Sequence, residues 1–185
     1  MNSKGFTLIE TLVVVALLMT LTAVGIPSLS DFIIKMRVDN EIDRINRLLL
    51  VTRNIALNTN QAVTFCPLQS NICVNQWHQE LSVFTDANNN KIYEPHLKEQ
   101  LIQYKDAIVV GDKLQYGNTR KGLTYAPNGY LMGWGQNATF MYCPKGHLAK
   151  SRAITVAVSG RAYKSQFNPK KNKEETRSGK KIICK

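Results

Sequence analysis

Glu10 is the residue least suited to its surroundings. It is the fifth residue of an almost unbroken apolar run, Phe6 to Ile26. An ionisable group in a membrane-spanning helix is expensive, so it signals a function and a partner. The run would be roughly 31 Å long at about 1.5 Å per residue, enough to cross a hydrocarbon core of about 30 Å. A secretory signal has a shorter apolar region with a small-x-small cleavage site after it. Here the processing-like feature, Lys4-Gly5, lies before the run. The carboxylate is expected to find no partner within its own helix.

The four cysteines are Cys66, Cys73, Cys143 and Cys184. An even count behind an export signal favours disulfides. Three pairings are possible. The short Cys66–Cys73 spacing suits a small loop and leaves Cys143 to close on Cys184. A metal site on Cys143 and His147 competes, but no second close pair completes it. Asp86-Ala-Asn88-Asn-Asn90 has oxygens at alternate positions, as a calcium loop does. Lys91 occupies the place of the required glycine, and Leu97 the place of the bidentate glutamate. A turn that uses asparagine for unusual backbone angles accounts for the segment without metal. No metal and no cofactor are expected. His78, His96 and His147 are the only histidines, and no nucleophile elbow or carboxylate pair accompanies them, so no enzyme is expected. Trp77 and Trp134 read as core rather than as stacking platforms.

Charge is distributed unevenly. The net charge is +11, yet residues 145–185 carry 12 Lys/Arg against Glu174 and Glu175, a balance of +10, leaving +1 for residues 1–144. Such a bias points to a polyanion or an acidic surface. Arg152, Arg161, Lys164, Lys170, Lys171, Lys173, Arg177, Lys180 and Lys181 could contact phosphates, with Tyr163 and Phe167 interleaved. The bland alternative is a solvated basic tail.

The elements that position these groups follow from periodicity. After Pro27, the residues Ile34, Val38, Ile42, Ile45, Leu49 and Ala56 recur near every 3.6 positions and form one apolar stripe. Lys35, Asp39, Asp43, Arg44, Arg47 and Asn54 lie opposite, with Asp31–Lys35 and Asp43–Arg47 as favourable pairs one turn apart. One helix of about 50 residues is expected, kinked at Pro27 and ended by Asn58-Thr59-Asn60. Short strands are expected at 62–66, 81–85, 100–104, 107–110, 113–116, 123–126, 138–142, 153–158 and 160–165, separated by turn signals such as Pro127-Asn128-Gly129 and Ser159-Gly160. Residues 166–183 are lysine-rich and weakly patterned, and are expected to be mobile. The class is α+β.

The string Gly5-Phe-Thr-Leu-Ile-Glu10 resembles the class III signal of type IV prepilins. The body extends the likeness: Cys66-Pro67, Cys73, Trp77, Val83-Phe84-x-Asp86, Cys143 and Ser159-Gly160-Arg161 are similar to the FimT/GspH type of minor pilin or pseudopilin. The resemblance implies the type IV pilin fold, a long N-terminal helix packed on a β-rich antiparallel domain. It divides the chain into a leader (1–5), a transmembrane half-helix (6–30), an amphipathic half-helix (31–58), a globular domain (59–165) and a basic tail closed by Cys184 (166–185). It implies cleavage between Gly5 and Phe6 by a prepilin peptidase, methylation of Phe6, and pairing of Glu10 with the new amine of a neighbouring pilin. Partners would be major and minor pilins, with inner-membrane lipid before assembly. The domain would face the periplasm and then the exterior. DNA-uptake members of the FimT branch carry a Gly-Arg-x-Arg motif. Gly160 and Arg161 match its first half, while Tyr163 stands in place of the second Arg. The resemblance therefore implies double-stranded DNA capture in natural transformation, with Arg161, Lys164, Arg152, Lys170, Lys171 and Lys173 as contacts. The alternatives are a structural minor pilin that primes assembly and a type II secretion pseudopilin of the GspH type.

Overall fold

The computed structural model describes residues 5, 7–133 and 138–184. They fall into two units, Met1–Arg37 and Val38–Lys185. Helix α1 spans Leu8–Thr59 and continues through Pro27. It stops where Asn60 takes a left-handed φ of 53°, the backbone that asparagine tolerates better than most residues. In the first unit Leu8, Leu12, Val14, Leu18 and Leu21 are all more than half exposed. Among the described residues, α1 is the helix long and apolar enough to cross a membrane.

The second unit is built on the amphipathic half of α1. Val38, Ile42, Ile45, Leu49 and Ala56 of the expected stripe are buried, joined by Leu48 and Thr52. The Thr52 hydroxyl satisfies itself on the Leu48 carbonyl at 2.6 Å, so a polar residue is tolerated there.

Two antiparallel sheets complete the body. The first contains β1 (Val63–Gln69), β2 (Ile72–Cys73), β3 (Leu81–Thr85), β4 (Leu101–Lys105) and β6 (Leu123–Tyr125), in the order β2-β1-β3-β4 with β6 also on β1. The second has the order β5-β7-β8-β9, from β5 (Lys113–Tyr116), β7 (Ala138–Cys143), β8 (Arg152–Val156) and β9 (Ala162–Lys164). Phe65 of β1, Trp77, Tyr116 of β5 and Phe140 of β7 form one aromatic cluster with ring centroids 4.1–5.9 Å apart. Trp77 is a core residue whose Nε1–H reaches the Arg120 carbonyl at 2.7 Å; Trp134 lies outside the described residues.

Three local departures from the sequence reading have physical causes. Residues 107–110 are not a strand: the chain passes here from the first sheet to the second, Asp112 N–H closes a turn on the Val109 carbonyl, and Val110 is 98% exposed. The last strand shortens to 162–164 because Gly160, at φ +75°, turns the β8–β9 hairpin. Residues 166–183 contain a hairpin, β10 (Gln166–Asn168) and β11 (Lys173–Glu175). The Asn168 side chain accepts from the Lys170 N–H, and Asn172 has a φ of 48°. Those two asparagines were the available signal for the turn.

Candidate functional site

Thr7 and Glu10 form a reciprocal cap at the start of α1. The Thr7 N–H and hydroxyl donate to Glu10 Oε2 at 2.8 and 2.9 Å, and the Glu10 N–H approaches Thr7 Oγ1 at 3.4 Å. Thr-x-x-Glu is the capping-box spacing, which satisfies helix N–H groups that lack carbonyl partners. The partner Glu10 has here is Thr7, the residue immediately before α1 rather than one within it. Of the two residues expected to flank the cleavage, Gly5 is exposed and Phe6 lies outside the described residues.

Both expected cysteine pairs are joined: Cys66–Cys73, and Cys143–Cys184 across 41 positions of sequence. Cys143 is therefore not a thiolate ligand for a metal with His147. Asp86 is fully buried and its oxygens are occupied as acceptors: the Thr64 hydroxyl donates at 2.6 Å, and the Asn90 and Lys91 N–H groups at 3.0 and 3.2 Å. Lys91 and Asn89 adopt left-handed backbone, as an asparagine-rich turn requires.

The cations divide into two groups that the sequence could not separate. Arg152 on β8 reaches Asp39 of α1 through Nη1 at 2.7 Å, and Glu174 of β11 through Nε at 3.5 Å. Lys164 on β9 pairs with Asp43 of α1. Lys105 on β4, only 3% exposed, pairs with Glu41 at 2.7 Å, and Arg44 also reaches that carboxylate at 3.2 Å. Three helix carboxylates, Asp39, Glu41 and Asp43, are thus tied to both sheets. Lys171 pairs with Glu175 across the hairpin turn at 2.8 Å. Arg152, Lys164 and Lys171 are thereby tied within the chain, whereas Lys170 and Lys173 are exposed on the hairpin.

On the other face of β9 stands a different constellation. Arg161, the residue before β9, comes within hydrogen-bonding reach of the Tyr163 phenol. The Arg177 guanidinium, carried by the turn after β11, lies 4.1 Å over the Tyr163 ring, a cation–π contact. Desolvation pushes the Tyr163 phenol up, but hydrogen bonds and charge from Arg177 and Arg161 outweigh it and hold the phenol below its ordinary value. Both guanidiniums are exposed. Arg177 thus brings a guanidinium from a distant segment to Tyr163. Spacing along the strand gave no hint of it.

Gly160 fixes the start of this face. Its N–H bonds the Ala157 carbonyl at 2.9 Å, and its carbonyl accepts from Tyr125 Oη at 3.2 Å. Arg53 of α1 spans the two turns beside it, donating through Nε to the Gly129 carbonyl at 3.0 Å and through Nη2 to the Ser159 carbonyl at 3.4 Å.

Residues 1–26 match the prokaryotic N-terminal methylation motif, and residues 41–160 match the family described as Type II transport protein GspH. No curated protein matches the sequence. Among solved structures, the type IV minor pilin FimU of Pseudomonas aeruginosa PAO1 superimposes with a TM-score of 0.58 at 18% identity, over 78% of this chain and 98% of that one. A second crystal form of FimU gives 0.54 at 17% identity, over 69% and 92%. The minor pseudopilin EpsH of the Vibrio cholerae type 2 secretion system gives 0.48 at 15% identity, over 69% and 95%. The FimU likeness shows the fold, a long helix on antiparallel sheets, and the GspH match covers about two thirds of the chain. The chain belongs to the GspH family, within the type IV pilin-like minor pilins and pseudopilins.

Proposed function

We propose that this protein is a minor pilin whose Arg161–Tyr163–Arg177 face captures double-stranded DNA without regard to sequence, as natural transformation requires. The observation that carries this reading is the pair of exposed guanidiniums gathered on one tyrosine. Planar guanidiniums bind phosphate bidentately, and two side by side can follow a phosphate backbone. Lys170 and Lys173 extend the positive surface. Arg152 and Lys164 take no part in phosphate contact, because helix carboxylates already hold them.

Before assembly the apolar half of α1 anchors the chain in the bacterial inner membrane with its globular unit in the periplasm. Prepilin peptidase cuts between Gly5 and Phe6, and the Phe6 amine is methylated. Glu10 then exchanges its Thr7 cap for the amine of a neighbouring pilin, and the subunit enters the fibre. The methylation motif supports this sequence of events. Mass spectrometry of the native protein should find N-methylated Phe6 as its first residue; an intact Met1 in peptidase-competent cells refutes it.

The DNA test uses the full chain in nonionic detergent. With about four phosphates neutralised, by Arg161, Arg177, Lys170 and Lys173, the log–log salt slope should be near −3.6, and a fourfold rise in salt should cost roughly 150-fold in affinity. Arg161→Gln and Arg177→Gln should each shallow the slope by about 0.9, and Lys164→Gln should leave it unchanged. No binding at low salt leaves the second reading, a structural pilus primer or a secretion pseudopilin. That reading is favoured by Tyr163 in place of the second motif arginine.

A further inference from the structure

We infer that residues 166–183 form a clamped arm, and that Arg152 and the Cys143–Cys184 disulfide are positioning residues that hold its Arg177 over Tyr163. The inference rests on the DNA reading for its consequence, but not for its geometry.

The arm cannot position itself. Strands β10 and β11 pair three residues each with one another and, among the described residues, with neither sheet. An isolated two-stranded hairpin is marginal in water. Phe167, its large apolar side chain, is 56% exposed, so the hairpin has little core of its own. What fixes it lies outside it. At its entry, Ser165 is joined to β8: its N–H donates to the Ala153 carbonyl at 2.7 Å, and its hydroxyl accepts from the Ala153 N–H at 3.1 Å. In the middle, Arg152 holds Glu174 with one part of its guanidinium and Asp39 of α1 with another, which fastens β11 to the helix. At its exit, Cys184 is bonded to Cys143 of β7 and lies 3.1 Å from the Ser151 hydroxyl.

Arg177 sits between the last two fasteners. Its turn is closed by the Thr176 N–H on the Lys180 carbonyl and the Gly179 N–H on the Thr176 carbonyl, at 2.9 and 2.8 Å, and by a bridge between Glu175 and Lys181. With the disulfide opened, the segment after β11 loses its covalent tie to β7, and the bonds of its own turn, the Arg152–Glu174 pair and the cation–π contact are left to oppose its departure. The second guanidinium of the anion-binding face is therefore conditional on the Cys143–Cys184 disulfide and on one bridging arginine.

The test compares the full chain in detergent with three variants: Cys143→Ser/Cys184→Ser, Glu174→Gln and Arg177→Gln. The readouts are Tyr163 ionisation by NMR of labelled tyrosine, amide exchange across 166–177, and DNA affinity. In the serine variant the Tyr163 phenol should move up toward its ordinary value and the hairpin amides should exchange at least about tenfold faster. DNA affinity should fall about tenfold, the scale of one charge-assisted contact, and Arg177→Gln should add nothing further in that background. Glu174→Gln keeps both disulfides and should shift the same readouts less, so it carries the test if the serine variant does not fold. Unchanged Tyr163 ionisation and unchanged exchange in both variants overturn the inference. So does an Arg177→Gln effect of equal size with and without the disulfide. Responses of Tyr163 and exchange in a chain that binds no DNA uphold the clamp and overturn the DNA reading alone.

Discussion

Gly160 and Glu99 are single positions at which local physics makes sharp demands. A Cβ on Gly160 would overlap the Gly129 carbonyl oxygen and stand 2.9 Å from Tyr125 Cε1, at a φ of +75° that side chains rarely adopt. The obstruction is backbone and a buried ring, neither of which can swing aside. Gly160→Ala is expected to cost about 3 kcal/mol, combining backbone strain with overpacking, and urea denaturation would show it. A loss under about 1 kcal/mol would mean that the two turns can separate cheaply. Glu99 is 6% exposed. Burial, together with the nearby charges of Asp86 and Glu94, raises its carboxyl above the ordinary value, against the Glu94 N–H that donates to it at 2.7 Å. A carboxyl whose folded pKa is raised contributes stability below its unfolded pKa and loses that stability as pH rises through the folded value. Glu99→Gln should therefore raise the melting temperature at pH 7, and the gain should vanish below about pH 4. An equal gain at both pH values would show that charge is not the cause.

At the level of elements, α1 is attached to the sheets by packing and by ion pairs together. The apolar stripe supplies the burial, while Asp39 and Asp43 engage the second sheet and Glu41 the first. The Glu41–Lys105 pair is the buried one, and breaking such a pair strands a charge. Lys105→Met alone is expected to cost about 3–4 kcal/mol, whereas Glu41→Leu combined with Lys105→Met should recover most of the loss. A double-mutant cycle by chemical denaturation reads the coupling; simple additivity of the two losses would show that Arg44 carries Glu41 by itself. Lys105 looks like an ordinary strand lysine and Glu41 like an ordinary helix glutamate. Their burial was invisible because it depends on where β4 crosses the helix.

For the molecule as a whole, the disulfides close loops of very different length, 7 and 41 positions of sequence separation. On the chain-entropy account the long loop contributes about 4 kcal/mol and the short one about 2.5 kcal/mol. Replacing Cys143 and Cys184 by serine should thus lower the denaturation midpoint more than replacing Cys66 and Cys73 does. The reverse order would place the main contribution in native packing around β1 and β2 rather than in the unfolded chain.

The sequence by itself determined the parts of this protein set by local rules. Hydrophobic length marked the helix apolar enough to cross a membrane, a period of 3.6 marked the buried stripe of α1, asparagine and glycine marked the ends of helix and hairpins, and the GFTLIE string marked the N-terminal methylation motif. These signals need only neighbours along the chain. Tertiary structure alone decided which cations are spent internally and which face solvent. The twelve basic residues of 145–185 look alike in sequence, but Arg152 and Lys164 meet helix carboxylates more than 100 residues away. Arg177 reaches Tyr163 only because the hairpin folds back over β9. Charge acts through distance in space, and composition carries no record of that distance.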